Sequence, residues 1–160
     1  MAGNYAYIDG ANLHKGIQEL GWRLDYRRFR IFLKDRYAVE TAYLFLGFIS
    51  QNTTMYRNLQ DAGFVIVFKP TISNAAGEVK GNCDAELVLQ ATSDFYEKKF
   101  RQAVIVTGDG DFACLVSFLK AKQGLQVVLS PNHKKCSRLL TRAKVRLTFL
   151  EEFREILKNE

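Results

Sequence analysis

Residues 103–113 read AVIVTGDGDFA, and they decide how the rest of the chain is read. Ala103 to Thr107 is a short, unbroken apolar run. Gly108-Asp109-Gly110-Asp111 then breaks it, and Phe112, Leu115, Val116 and Leu119 follow at helical spacing. A strand of this kind has no polar face, so both faces must be covered, as in a parallel sheet between helices. Working outward, the same alternation recurs. Residues 5–8, 41–48, 64–68, 125–129 and 146–149 are further short apolar runs. Between them lie helical patterns: Leu13, Ile17 and Leu20 closed by Gly21; a basic helix over 26–36 with Asp25 as its N-cap; 52–62; 83–99; a helix over 111–122; a short basic helix; and an acidic last helix. Residues 71–82 read as a polar loop. The pattern predicts an α/β fold, a three-layer α/β/α sandwich with a parallel, Rossmann-like sheet, in a single domain over 1–160.

Composition agrees. The chain has 160 residues, 48% hydrophobic and 25% charged, which excludes a disordered or collagen-like chain. Lys and Arg number 23 against 17 Asp and Glu, a net charge of +6 that fits a polyanionic partner. From Phe112 to Leu150 there is no acid, yet Lys120, Lys122, Lys134, Lys135, Arg138, Arg142, Lys144 and Arg146 fall there. This stretch is either a solvated face or a surface that tracks phosphates. No leader pattern and no membrane-length apolar run is present, and three cysteines, Cys83, Cys114 and Cys136, are too few for a disulfide framework. A reducing, cytoplasmic setting is expected. The aromatic-rich 41–48 segment and the last helix suit a core or a homo-oligomeric interface alike.

In an open parallel sheet, ligands sit beyond the carboxyl ends of the strands, at the point where strand order reverses. Four aspartates fall at such ends. Asp9 follows the first strand, Asp109 follows the fourth, and Asp111 starts the next helix near its buried side. Asn82 is the expected N-cap of the long helix, which puts Asp84 in its first turn on the core face, while Glu86 reads as solvated. Singly, Asp84 and Asp111 could be helix-start acids stabilised by the macrodipole, and Asp9 a cap of the first helix. Together they would repel one another unless a cation sits between them. Carboxylate oxygens suit Mg²⁺ or Mn²⁺, and the His and thiolate ligands that zinc prefers are missing. Such ions clamp the attacking and leaving oxygens of a phosphodiester. Asn12 is either an N-cap or a partner for a carboxylate or phosphate. Thr107 is placed to orient Asp109 or a metal-bound water. Lys80 is either a phosphate contact or an ordinary loop lysine. His14 reads as a surface residue rather than a helper base.

Other motifs fit less well. Residues 108–113 match GxGxxA, but Asp109 and Asp111 would repel a pyrophosphate, and no acid follows to hold a ribose. Haloacid-dehalogenase-type phosphatases carry DxD after the first strand, where this chain has Asp9 and Ala11.

Tyr7-Ile8-Asp9-Gly10-Ala11-Asn12-Leu13, Lys80-Gly81-Asn82-Cys83-Asp84 and Val106-Thr107-Gly108-Asp109-Gly110-Asp111-Phe112 resemble, in order and spacing, the three motifs of NYN domains. These are LabA-like members of the PIN-like nuclease superfamily. The resemblance covers roughly 4–150. It implies a PIN-like sandwich and a metal-dependent ribonuclease acting on RNA, with Asp9, Asp84, Asp109 and Asp111 as metal-binding acids and Asn12 as the accessory polar residue. The expected backbone-binding cations are Lys80, Lys134, Lys135, Arg138 and Arg142. A non-catalytic RNA-binding or regulatory module is the alternative, and a metal-dependent phosphatase a more distant one.

Overall fold

A computed structural model describes residues 3–48, 52–70, 72–73, 79–80 and 83–160, with the side chains of 48, 70, 72, 73, 79 and 80 set aside. The elements run β1 (Asn4–Asp9), α1 (Gly10–Gln18), α2 (Tyr26–Tyr37), β2 (Val39–Phe48), α3 (Thr53–Asp61), β3 (Phe64–Pro70), β4 (Ile72–Ser73), β5 (Val79–Lys80), α4 (Asp84–Tyr96), β6 (Ala103–Val106), α5 (Ala113–Ala121), β7 (Leu125–Ser130), α6 (Arg138–Thr141), β8 (Leu147–Phe149) and α7 (Arg154–Leu157). Short 3-10 turns, Gly110–Phe112 and Leu150–Phe153, precede α5 and α7.

Six strands form one sheet in the order β3-β2-β1-β6-β7-β8, and every pairing in it is parallel. The chain builds outward from β1 in one direction and then returns to build outward in the other. The order therefore reverses between β1 and β6, where Tyr7 lies level with Ile105 and Ile8 with Val106.

Side-chain alternation in these strands divides the interior into two cores. Ala6, Ile8, Val104 and Val106 face one way, onto Leu13 and Ile17 of α1, Phe29 and Leu33 of α2, and Leu157 of α7. Tyr7, Ala103 and Ile105 face the other, onto Leu87 and Ala91 of α4 and Leu115, Val116 and Leu119 of α5. Each fully buried Val, Leu, Ile or Phe among them contributes roughly 1.5–3 kcal/mol. The second core carries one acid: Asp94 of α4 is 1% exposed and accepts a 2.7 Å hydrogen bond from the Tyr7 hydroxyl.

All six anticipated strands are present, and Asp25 caps α2 as read, accepting from the Arg28 backbone N–H at 3.1 Å. Four local readings need correction. Residues 72–73 and 79–80 pair as an antiparallel ladder within the segment read as a loop. Two-residue strands are too short to show an alternation in sequence. The long helix starts at Asp84 with Cys83 at the cap position, and Asn82, the expected cap, lies outside the described residues. Asp111 belongs to a 3-10 turn ahead of α5 and is exposed, while its neighbour Phe112 is fully buried. A 3-10 turn advances about 120° per residue rather than about 100°, so counting four back from Leu115 at α-helical spacing misplaces Asp111. Glu86, read as solvated, is half-buried and lies 3.6 Å from Lys69 Nζ.

Candidate functional site

The first turn of α1 and the exit from β6 are laced together at the reversal point. Asp9 ends β1 and caps α1, its Oδ1 accepting from the Asn12 backbone N–H at 3.2 Å. Its Oδ2 accepts from the Thr107 hydroxyl at 3.1 Å. The Thr107 Oγ1 in turn accepts from the Asp109 backbone N–H at 3.1 Å, and the Asn12 Oδ1 accepts from the Gly108 N–H at 2.8 Å. Thr107 is fully buried, so its hydroxyl is committed to this role. It therefore orients the Asp9 carboxylate as well as the Asp109 backbone.

Asp109 caps the 3-10 turn, accepting from the Asp111 N–H at 2.9 Å. That turn brings the Asp109 and Asp111 side chains round toward the start of α4. One carboxylate oxygen each from Asp84, Asp109 and Asp111 lie within 4.8 Å of one another. Asp9 is outside this trio but next to it. It shares a cavity of about 250 Å³ with Asp84 and Asp109, whose other walls are Ala11, Asn12, Lys15, Phe45, Gly47 and Cys83. Burial raises the Asp9 carboxyl to about 6, opposed by the hydrogen bonds from Asn12 and Thr107 and assisted by the charges of Asp84 and Asp109. Burial also raises the Cys83 thiol, so that thiol is held in its neutral form.

The donor set fits a hard divalent cation. Three carboxylates from two elements offer only oxygen, at a spacing that a shared ion satisfies. With no ion between them, the same groups are like charges at close range, disfavoured by proximity.

The expected cationic residues other than Lys80 lie on the segment that packs against the Gly108–Asp111 turn, where the Ser137 backbone N–H donates to the Gly108 carbonyl at 3.0 Å. Lys134, Lys135, Arg138 and Arg142 are exposed on the segment running from β7 through α6, and the Lys80 side chain lies outside those described. His14 is exposed. Lys15 was not anticipated, although its position three after Asn12 puts both on one face of α1. Asn132 was also missed. It is 3% exposed and donates to the Gly16 carbonyl at 2.8 Å. Its place just past the carboxyl end of β7 was the available signal.

The sheet order, the laced reversal point and the acidic trio define a PIN-like α/β sandwich, and the NYN domain family profile matches residues 5–151. The chain belongs to the NYN domain family. It is 27% identical over 136 residues to the low amplitude and bright protein LabA of Synechococcus elongatus, across 78% of this chain and 71% of that protein. It also superposes on the crystal structure of a protein of unknown function from Vibrio parahaemolyticus, with a TM-score of 0.81 and 19% identity, covering 99% of this chain and 96% of that one. At that identity the second likeness concerns the fold alone. Among the described residues, no helix is long and apolar enough to cross a membrane.

Proposed function

We propose that the protein is a divalent-cation-dependent ribonuclease that hydrolyses RNA phosphodiesters at the aspartate cluster. The observation that carries this reading is the approach of the Asp84, Asp109 and Asp111 carboxylates to within 4.8 Å, beside Asp9, at the strand-order reversal. Asp84, Asp109 and Asp111 would hold the cation, Mg²⁺ or Mn²⁺ by donor type. When bound, the cation supplies Lewis-acid stabilisation of charge on the phosphodiester. The chain's own contribution is positioning. Thr107 and Asn12 fix the Asp9 carboxylate and the Gly108–Asp109 backbone, so the site is set before substrate arrives. Lys15 on the cavity wall offers a cation toward the phosphate backbone, and Lys134, Lys135, Arg138 and Arg142 extend that surface. Three free thiols suit a reducing, cytoplasmic compartment.

The test is Asp109→Asn assayed for cleavage of a labelled RNA with Mg²⁺ or Mn²⁺, alongside binding of the same RNA. Cleavage falls by more than the roughly 10–100-fold typical of losing an outer-shell partner. Binding holds or tightens, because a negative charge beside the phosphate is gone. Full activity in the variant, or wild-type activity that survives EDTA, refutes the mechanism. Saturable, salt-sensitive RNA binding with no product under any divalent ion would make the protein a non-catalytic RNA-binding module instead.

A further inference from the structure

The acidic cavity has a cationic neighbour. A second cavity, about 220 Å³, lies between α1 and the segment after β7, with Asn12, Lys15, Glu19, Gly108, Asn132 and Lys135 on its walls. Asn12 and Lys15 line both cavities. They are neighbours one turn apart on α1, so this turn is the ridge between the two.

The second cavity is shaped by buried, specific contacts rather than by surface side chains alone. Asn132 bridges its two sides: its amide donates to the Gly16 carbonyl at 2.8 Å, and its Oδ1 accepts from the Lys135 backbone N–H at 2.8 Å. Gly16 lets α1 approach closely, since a Cβ there would stand 2.5 Å from Pro131 Cβ. The backbone bearing Lys135 is thereby fixed against the helix bearing Lys15.

The charges of the two cavities are opposite. Asp9, Asp84 and Asp109 against Lys15 leave the first negative. Lys135 and Glu19 balance in the second, so it has one net positive charge when the shared Lys15 turns toward it. A phosphodiester carries one negative charge. Without a cation the first cavity repels it, whereas the second attracts it.

Building on the ribonuclease reading, we infer that the second cavity receives the backbone phosphate adjoining the scissile one. The site thus takes an oligonucleotide spanning the Asn12–Lys15 ridge, with Lys15 and Lys135 as phosphate ligands. Part of the affinity then needs no divalent ion, because the second cavity holds one phosphate by itself.

Fluorescence anisotropy in EDTA tests this, with labelled hexauridylate and the dinucleotide UpU as probes. Wild type binds the hexamer more tightly than UpU. Lys135→Ala loses roughly tenfold or more on the hexamer. Its log–log salt slope falls by about 0.7, as expected for one phosphate on a single strand. UpU, whose one phosphate enters the same cavity, weakens as well, Lys135→Arg restores both probes, and Lys34→Ala on the exposed face of α2 changes nothing. The subsite is overturned if Lys135→Ala keeps wild-type affinity and slope, or if Lys34→Ala weakens binding equally. The two readings fail separately. RNA cleavage with Mg²⁺ that ignores Lys135 removes the subsite and keeps the nuclease. A Lys135-dependent hexamer affinity with no cleavage under any divalent ion keeps the subsite and removes the nuclease.

Discussion

Asp9→Asn should stabilise the metal-free protein at neutral pH, although it alters a residue at the heart of the site. The Asp9 carboxyl is raised from an ordinary 3.8 to about 6, chiefly by burial. The folded protein therefore binds this proton more tightly than the unfolded chain. Raising the pH from about 4 to about 6 takes stability away, and above 6 the full cost remains. That cost is about 3 kcal/mol at most, from roughly 1.4 kcal/mol per tenfold change in proton affinity. Asparagine removes the charge but can keep the two hydrogen bonds: its Oδ1 still accepts from the Asn12 N–H, and its amide can donate to the Thr107 oxygen once that hydroxyl rotates. In EDTA, thermal melts of the variant at pH 7.5 should exceed wild type by several degrees, given about 2–4 °C per kcal/mol for a chain of this size. Near pH 4 the two should coincide. Saturating Mg²⁺ should raise the wild-type melting temperature more than the variant's, by relieving the charge that asparagine has already lost. If Asp9→Asn melts lower than wild type at pH 7.5, or the gap between them does not vary with pH, the reasoning is wrong.

Two further outcomes follow from the lacing around this residue. Thr107→Val keeps the shape but removes the hydroxyl that lowers the Asp9 carboxyl, so an NMR titration of Asp9 should move upward from about 6 and cleavage should fall; an unchanged titration refutes the orienting role. Gly108→Ala would place a Cβ 2.8 Å from Ser130 Oγ, in a fully buried neighbourhood; urea unfolding should show a loss of about 1–3 kcal/mol, the usual cost of overpacking.

Much of this site was legible in the sequence because the fold class was. Continuous apolar strands separated by helices require a covered parallel sheet, and such a sheet gathers its strand ends at one edge. That places Asp9 and Asp109 without coordinates. Asp84 was reached by helical spacing from Leu87. Asp111 shows the limit of such spacing. Counting back from Leu115 put it near the buried side, but the turn there is 3-10 and leaves it exposed, and only its side chain's return toward Asp84 joins it to the trio. Lys80 was singled out from its place just before the long helix, while Lys15, which lines both cavities, was passed over because it neither follows a strand directly nor falls in a motif.

The order of residues along the chain already encodes the two-sided parallel sheet, the edge where aspartates gather and the uneven distribution of charge. Each follows from local order: apolar periodicity, breaker residues, and acids directly after strands. Tertiary structure decided which side chains touch. Thr107 meets Asp9 from 98 positions away, Asn12 meets Gly108 from 96, and Asn132 meets Gly16 from 116. Those distances are closed by the crossover from β1 to β6 and β7, and no local pattern encodes them. The same packing half-buries Asp9 and raises its proton affinity, which no composition or spacing could supply.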